Sequence, residues 1–573
     1  MTFHGLCEHL KLITKNELAC YTELELLYLM INRVNEVIES LNTLQSDVNE
    51  SIKNQLIEMK QNGELEKLIN EALFEALDHK IDLMGNVPVD DDLQLLLDTV
   101  DVANFPAKTY IITKPLIVRR GKSIKGNHCK IIADFANWQG GDYTALKVEI
   151  DDGAGSVDYV IEHMDRVIQD LVIVGQGNNA VISTGIKLST SVDIPTWGAV
   201  NHSYSGTMKD IVIRQFDTAL DIQASWQTVF QNIKCLQCRR GIVVNGKVVN
   251  NRFIGCDVTN CSKDYTASSE KTYGVIVKPN AALYSEGDGN PEGNMFYGCT
   301  IFQNDYNITV ETAYFTTFTD CVIDGCQYQS ITLNAPNEIN FNSCYIAQFN
   351  KGTGKMVDYS YAGNNIYPSR VSFRDCTLQG MDTDENRGDC FVFNQDAAEA
   401  FVRFNVVGCN ILGFNRVFNL NNKLFPYNST ITGNKCYNIH NSFIGNWAGG
   451  GGRTLIDNNR VHDNVPFLEL PVTVYDKYLM VRENYCGDGN ATFYIGKITV
   501  PKGTTEIDLP NGLSKVSNGC LYKNDISFYH SRPQVHYDVI DNYDGSNGRV
   551  VFSEGTKEQC DLIYKVSMIM VMG

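Results

Sequence analysis

The first recurring pattern in the chain is a seven-residue spacing of apolar positions near the amino terminus. Eleven consecutive a and d positions run from Leu24 to Met59, and only Gln45 and Gln55 among them are polar. A narrow apolar seam of this length is typical of an oligomeric coiled coil, and an amphipathic helix packed on its own chain is the alternative. The seam alone does not decide between two and three strands. Asn62-Gly63 then interrupts the pattern, which predicts a second amphipathic helix over about residues 64–77.

Beyond residue 120 the pattern changes to a six-residue unit: apolar, any residue, Gly/Asp/Asn/Ser, Cys/Asn/Ile/Leu, any residue, apolar. The fourth position advances by 22 or 23 residues where the copies are tight and by 25 near the end. Another short strand with alternating apolar residues follows each copy, for example at 219–223 and 241–245. Thirteen copies occur: IKGNHC (124–129), IQDLVI (168–173), MKDIVI (208–213), FQNIKC (230–235), FIGCDV (253–258), FYGCTI (296–301), FTDCVI (318–323), FNSCYI (341–346), FRDCTL (373–378), VVGCNI (406–411), ITGNKC (431–436), IDNNRV (456–461) and VRENYC (481–486).

Short strands that recur at this spacing with bends between them predict a β-solenoid. A propeller blade needs roughly 40 residues, and a leucine-rich repeat would show its own signature. After about residue 497 the repeat stops, and short strands alternate with turns. We expect this part to be a small β domain that caps the solenoid and holds an oligomer together, because an open end exposes strand edges.

The fourth and third positions of the unit have separate structural roles. Equivalent fourth positions in adjacent coils lie about 4.8 Å apart, so we expect an internal ladder without disulfides, because its side chains point the same way. The ladder comprises Cys256, Cys299, Cys321, Cys344, Cys376, Cys409, Asn434, Asn459 and Asn484. Third positions hold Gly, Asn, Asp and Ser in nearly every copy, so we interpret Asp320 and Asp375 there as bend residues rather than a catalytic pair.

Composition narrows the functional classes. The net charge of −19 argues against binding to nucleic acid or to an anionic membrane surface. No run of about 18 apolar residues predicts a membrane span, and no secretory signal is recognisable. Eighteen scattered cysteines indicate reduced thiols in a protein made in a cytosol. We predict no metal and no cofactor.

The segment before the repeat carries a family resemblance. Asp90-Asp91-Asp92, the sequence LQLLL, the sequence FPAKTY at 105–110 and IKG at 124–126 follow one another. This order resembles the opening of the pectate-lyase-like β-helices found in phage tailspikes, with Lys108 where that family usually has Gly. The resemblance extends over about residues 85–490 and implies a mainly β protein with a right-handed parallel β-helix. The front helix resembles the amino-terminal region of tail proteins from phages of Gram-positive hosts, which implies a virion anchor and a homotrimer.

These observations together predict four regions. Residues 1–84 form the α-helical coiled coil and virion anchor, and residues 85–123 form the amino-terminal cap. Residues 124–496 form the parallel β-helix, and residues 497–573 form the small carboxy-terminal β domain for capping and trimerisation.

Candidate chemistry lies where long insertions cluster, between the coils near residues 256 and 409. Glycoside hydrolysis requires two carboxylates, and outward-facing carboxylates that break the repeat are the best candidates. These are Asp257 and Asp324, together with Glu311 and Glu338, which we place near the starts of successive third strands. The aromatic residues Trp197, Tyr204, Tyr284 and Tyr314 are candidates for stacking on sugars. For a lyase, Arg374, Lys278 and His202 are available but undistinguished as bases.

The expected function is that of a phage tailspike, made in the host cytoplasm and located in the virion tail. It would bind and degrade a host surface polysaccharide or teichoic acid, as a hydrolase rather than a lyase. It would join tail or collar proteins through its amino-terminal helices. A receptor-binding appendage without catalysis is the alternative, and a cellular polysaccharide lyase is a second one.

Overall fold

The structure is a computed structural model of the chain. It describes residues 46–573 apart from 85–86, 120, 150–163, 177–181, 190–203, 260, 262–263, 265–268, 281–288, 349–353, 362–368, 382–386, 395–401, 424–425, 427, 448–453, 464, 466, 468–479, 483, 487–488, 491–493, 509–519, 530–534, 541–548, 558 and 571–573. Most of the predicted coiled-coil seam therefore lies outside the described residues.

Three helices precede the strands of the described chain. They are α1 (Ser46–Gln61), α2 (Glu64–Met84) and α3 (Asp90–Thr99). The break at Asn62-Gly63 is confirmed, and Gly63 has a φ of 78°, but α2 extends beyond the predicted end at residue 77. None of the described helices is long and apolar enough to cross a membrane.

Each coil of the solenoid has the same internal order, which explains the six-residue unit. A first strand is followed by a bend residue with positive φ, then by a second strand, a corner and a third strand. The six-residue copy spans the first strand, the bend and the second strand. The bend residues include Asp170, Asp210, Asn232, Gly255, Gly298, Asp320, Ser343, Asp375, Gly408, Gly433 and Asn458, all with φ between 50° and 68°. The interpretation of Asp320 and Asp375 as bend residues is therefore confirmed.

The strands of the coils pair in parallel with those of the next coil and form one sheet of 35 strands among the described residues. Only its last pair, Tyr485–Cys486 with Gly489–Asn490, is antiparallel. The strands in chain order are β1 Val102–Asn104, β2 Thr109–Ile112, β3 Leu116–Arg119, β4 Ser123–Ala133, β5 Thr144–Glu149, β6 Val167–Gly175, β7 Thr184–Ser189, β8 Thr207–Arg214, β9 Thr218–Trp226, β10 Val229–Leu236, β11 Arg240–Val249, β12 Arg252–Ile254, β13 Asp257–Thr259, β14 Tyr273–Lys278, β15 Met295–Tyr297, β16 Thr300–Phe302, β17 Tyr306–Glu311, β18 Thr316–Thr319, β19 Val322–Asp324, β20 Gln329–Asn334, β21 Glu338–Asn342, β22 Tyr345–Ala347, β23 Lys355–Ser360, β24 Arg370–Arg374, β25 Thr377–Gln379, β26 Asp389–Phe393, β27 Arg403–Val407, β28 Asn410–Lys423, β29 Thr430–Thr432, β30 Lys435–Trp447, β31 Leu455–Asp457, β32 Arg460–Val461, β33 Met480–Arg482, β34 Tyr485–Cys486 and β35 Gly489–Asn490.

The carboxy-terminal strands leave the parallel sheet and form two antiparallel sheets of three strands each. One is ordered β36 (Tyr494–Val500), β41 (Cys560–Met570) and β38 (Cys520–Tyr529). The other is ordered β37 (Glu506–Asp508), β40 (Arg549–Phe552) and β39 (Tyr537–Ile540). The strands are antiparallel, and β37, β39 and β40 are short as the sequence indicates after residue 497, whereas β38 and β41 have 10 and 11 residues.

The first position of the six-residue unit contains a stack of buried phenylalanine rings. Phe230, Phe253, Phe296, Phe318 and Phe341 are at most 1% exposed. Consecutive rings lie nearly parallel, with centroids 4.3–5.1 Å apart. Phe373 continues the stack at 4.7 Å from the preceding ring. Since aromatic side chains bury large apolar areas, this column stabilises the coils on which the candidate site lies.

The fourth position forms the predicted column of buried side chains. Each of the six cysteines from Cys256 to Cys409 directs its thiol at a first-strand carbonyl of the preceding coil, as in Cys344 Sγ to Phe318 O at 3.4 Å. In later coils an amide replaces the thiol: Asn434 Nδ2 donates to Val406 O at 2.9 Å and to Asn459 Oδ1 at 2.7 Å. The described cysteines are free thiols. The column therefore has a structural role in the solenoid.

Candidate functional site

In the middle of the solenoid, two coils with short connections after their third strands lie between two coils with long ones. Residues 279–294 and 361–369 follow the third strands β14 and β23, whereas only residues 312–315 and 335–337 follow β17 and β20. Long connections therefore leave the third strands on either side of two coils with short ones. We call the outer face of β17 and β20, together with its two borders on β14 and β23, the gap.

Residues at the end of the first long connection, which follows β14, hold it in place beside the gap. Asn280 N donates to Gly289 O at 3.4 Å, which closes the connection on itself. Glu292 then forms backbone bridges with Val249 and Tyr314, and Asn290 Nδ2 donates to the Tyr314 hydroxyl at 2.9 Å. These contacts fix the border of the gap next to Glu311.

Two rows of outward residues cross the gap in register. Asn334 pairs with Glu311 on one side and with Ser360 on the other. Lys278 follows Val277, the partner of Val310, and so occupies the same row in the coil next to Glu311. In the adjacent row Thr332 pairs with Thr309 and with Asp358. Hydroxyl, amide and charged groups thus meet on a single face.

The charged side chains of the gap differ in whether they form ion pairs. Lys355 Nζ lies 3.1 and 3.2 Å from the two carboxylate oxygens of Asp358 and 3.2 Å from Asn394 Oδ1. Glu311 and Lys278, although they lie in adjacent coils, have no ion pair or side-chain hydrogen bond within the described part of the chain. Glu311 is therefore a carboxylate available to a ligand, whereas Asp358 is already neutralised by Lys355.

The four predicted catalytic carboxylates do not converge. Asp257 and Asp324 lie on the outer face of the second strands, in β13 and β19, two coils apart. Glu311 is the last residue of the third strand β17, and Glu338 is the first residue of the first strand β21. The expectation that Glu311 and Glu338 stand near the starts of successive third strands is therefore wrong for both, because Glu311 ends a third strand and Glu338 begins a first strand.

Each of the other three carboxylates has its own environment. Asp257 Oδ2 lies 3.7 Å from Lys234 Nζ, and Glu338 Oε2 lies 3.5 Å from Arg370. Burial raises the pKa of Asp324, and the hydrogen bond from the Gly325 amide lowers it in part. A raised carboxyl pKa is a property of a general acid, but no second carboxylate among the described residues contacts Asp324.

The four aromatic residues predicted to stack on sugars differ in where they lie. Tyr204 is fully buried at 0% exposure, so it offers no ring face to a sugar, and its assignment to stacking is wrong. Tyr314 is partly buried beside the gap. Trp197 and Tyr284 lie outside the described residues.

Among the described residues, no group of three His, Cys, Asp or Glu side chains is arranged to hold a metal ion.

Sequence reasoning missed Asp358, Lys355 and Asn394 as members of the site. The six-residue copies do not contain the third strands, so their alignment gives no register for these residues. Aligning the third strands with one another, from Tyr306–Glu311 to Lys355–Ser360, would have placed Asp358 in the same row as Thr309.

No protein-family model matches the sequence, and no curated protein matches it. Solved structures similar to the chain include the A-module of a mannuronan C-5 epimerase of Azotobacter vinelandii, with 14% identity, a TM-score of 0.43, and coverage of 62% of this chain and 98% of that one. They also include the tailspike of Acinetobacter baumannii bacteriophage Fri1, a capsular polysaccharide depolymerase, with 10% identity, a TM-score of 0.32, and coverage of 85% and 83%. The tailspike of Pseudomonas phage LKA1 has 10% identity and a TM-score of 0.32, and coverage is 84% and 93%.

Phage tailspikes, the class that the sequence resembles, are thus among the structures similar to this chain. The strand pairings of the chain itself define it as a parallel β-helix protein.

Proposed function

We propose that the protein is a phage tailspike that binds a host surface polysaccharide or teichoic acid in the gap and cleaves it. The observation that carries the proposal is Glu311, which has no side-chain partner among the described residues and lies on a polar face bordered by long connections. Polysaccharides present many hydroxyl groups, and a row of carboxylate, amide and hydroxyl side chains offers them both donors and acceptors.

Glycoside hydrolysis is the reaction that we favour for the gap. Glu311 and Asp358 are separated by two coils and by two residues along the strand, which corresponds to about 12 Å between their Cα atoms. Inverting hydrolysis uses carboxyl groups about 6.5–9.5 Å apart, on opposite sides of the scissile bond. The Asp358 carboxylate contacts Lys355 and Asn394, which lies in the coil beyond β23. Catalysis by this pair therefore requires that carboxylate to turn toward Glu311 when the glycan binds. Asp324, with its raised pKa, is the second candidate for a general acid, and Asp257 and Glu338 are weaker candidates.

The experiment that tests this proposal compares Glu311 with Glu149, an outward carboxylate on the third strand β5. The full-length protein is incubated with host wall polymer, and product length and new reducing ends are measured. Glu311→Gln should lower cleavage by about 10²- to 10⁴-fold, the usual contribution of a general acid or base. Glu149→Gln is the matched control, since Glu149 faces outward from the third strand β5 but already pairs with Arg119 at 2.7 Å and Lys147 at 3.1 Å.

Two outcomes would overturn parts of the proposal. Full activity of Glu311→Gln would remove Glu311 from the reaction. Retained binding of the wall polymer with no shortened product, across several host strains, would reject cleavage and favour the non-catalytic receptor-binding appendage. The homotrimer, the virion tail location and the anchoring role of the amino-terminal helices belong to the same proposal. The truncation described below tests the anchoring role.

A further inference from the structure

Two cations lie directly beside each other on the outer face of the second strands, far from the gap. Lys435 begins β30 and pairs in register with Arg460, the first residue of β32. Both side chains are exposed. Like charges directly opposite each other on a sheet destabilise it, so this arrangement requires a reason other than folding.

No carboxylate of the described chain neutralises the pair. Neither Lys435 nor Arg460 has an ion pair or a side-chain hydrogen bond there, although the chain carries a net charge of −19. Lys234 provides the contrast, because it occupies an equivalent outward position of a second strand and lies 3.7 Å from Asp257. Lys435 and Arg460 are thus left available to an external anion.

Aromatic rings border the two cations on the same face. The rings of Tyr437 and His462 stack with centroids 4.1 Å apart and planes 11° apart. Tyr485, the register partner of Arg460 in the next coil, is 40% exposed. A flat aromatic surface beside paired cations suits a ligand that has both an apolar ring face and an acidic group.

We propose that Lys435 and Arg460, with Tyr437, His462 and Tyr485, form a second glycan site that binds a carboxylate or phosphate group of an anionic polysaccharide. The choice of a glycan as ligand rests on the proposed function. Arg460 supplies a planar fork for two oxygens of the anion, and Lys435 supplies a point charge from the adjacent coil. A nucleic acid fits less well, because its binding uses many phosphate contacts along a basic surface, whereas this site offers only two cations.

The test uses the full-length protein and three polymers: polygalacturonate for carboxylates, poly(glycerol phosphate) for phosphates, and uncharged dextran. Affinity is measured by calorimetry at low and high salt. The double substitution Lys435→Gln and Arg460→Gln should weaken binding of one anionic polymer by on the order of tenfold or more and reduce its salt dependence. Lys234→Gln is the matched control and should leave binding unchanged. The polymer that responds identifies the anion.

A stability measurement separates a binding role from a structural one. Lys435→Glu places opposite charges side by side, so it should raise the melting temperature while it abolishes anion binding. Lys234→Glu, which removes a cation from Asp257, should lower the melting temperature. A lower melting temperature for Lys435→Glu, or a change of oligomeric state in the double variant, would overturn the proposal by showing that the pair serves the fold or a subunit interface.

Failure of this proposal and failure of the proposed function give different results. Unchanged anion binding in the double variant rejects the second site, whatever Glu311→Gln does to cleavage. Loss of anion binding in the double variant together with full cleavage by Glu311→Gln supports the second site and rejects the role of Glu311.

Discussion

The residue at the bend of each coil must adopt a positive φ, and this requirement explains which amino acids occur there. Gly298 has a φ of +57°, and a Cβ added to it would meet no atom within 4 Å. Substitution there is therefore a test of backbone conformation alone. Gly298→Val should lower the free energy of unfolding by about 1–2 kcal/mol, and Gly298→Asn should cost less, because Asn tolerates this region. Equal costs in denaturant titrations would contradict the account.

The environment of Asp324 predicts how its contribution to stability depends on pH. Burial raises the pKa of its carboxyl group, so the folded state binds the proton more tightly than the unfolded state. Ionisation of Asp324 therefore opposes folding, and its cost is absent at acid pH and appears as the pH rises through the folded-state pKa. Asp324→Asn should stabilise the protein at pH 7 relative to wild type and should not do so at a pH below the unfolded-state pKa. A stabilisation that is equal at both values would show a cause other than ionisation.

At the scale of elements, the first strands depend on the phenylalanine stack. Phe318 is completely buried between Phe296 and Phe341. Phe318→Ala should lower the free energy of unfolding by about 3–5 kcal/mol, because it removes apolar contacts and leaves a cavity. Tyr297→Ala, on the outer face of the neighbouring first strand at 38% exposure, is the control and should change it by less than about 0.5 kcal/mol. Similar losses in the two variants would contradict this view of the core.

The coils could be predicted from the sequence because one apolar pattern recurs with nearly constant spacing. The bend at Asp320, the buried thiol of Cys344 and the break after α1 at Asn62-Gly63 all follow from local residue preferences. The site could not be predicted in the same way, because it depends on the register between third strands. Glu311 and Asp358 are far apart in sequence, and only the pairing through Asn334 and Thr332 brings them to one face.

For the whole molecule, the structure locates where the amino-terminal region joins the solenoid. Phe74 packs edge-on against Phe105 with ring centroids 5.8 Å apart, and Asn70 Nδ2 donates to Val102 O at 2.9 Å. Helix α2 therefore contacts the start of the solenoid as part of its cap, which differs from the predicted start of the cap at residue 85, whereas α1 precedes these contacts. Under the proposed function, removal of residues 1–63 should leave a folded protein that no longer joins virions.

Removal of residues 1–80 provides the comparison, because it also deletes Phe74 and Asn70. This longer truncation should have a lower melting temperature than the shorter one. Equal melting temperatures would contradict the role of α2 as a cap. Assembly of the shorter truncation onto particles would show that the virion anchor lies elsewhere in the chain.

The central claim is that the gap on the third strands binds the glycan. The most direct measurement is an experimental structure of the full-length Glu311→Gln protein with an oligosaccharide of the host wall polymer. We expect ligand density across Lys278, residue 311 and Asn334, in contact with the outer faces of β17 and β20. Density for the oligosaccharide at another face, with the gap empty, would contradict it.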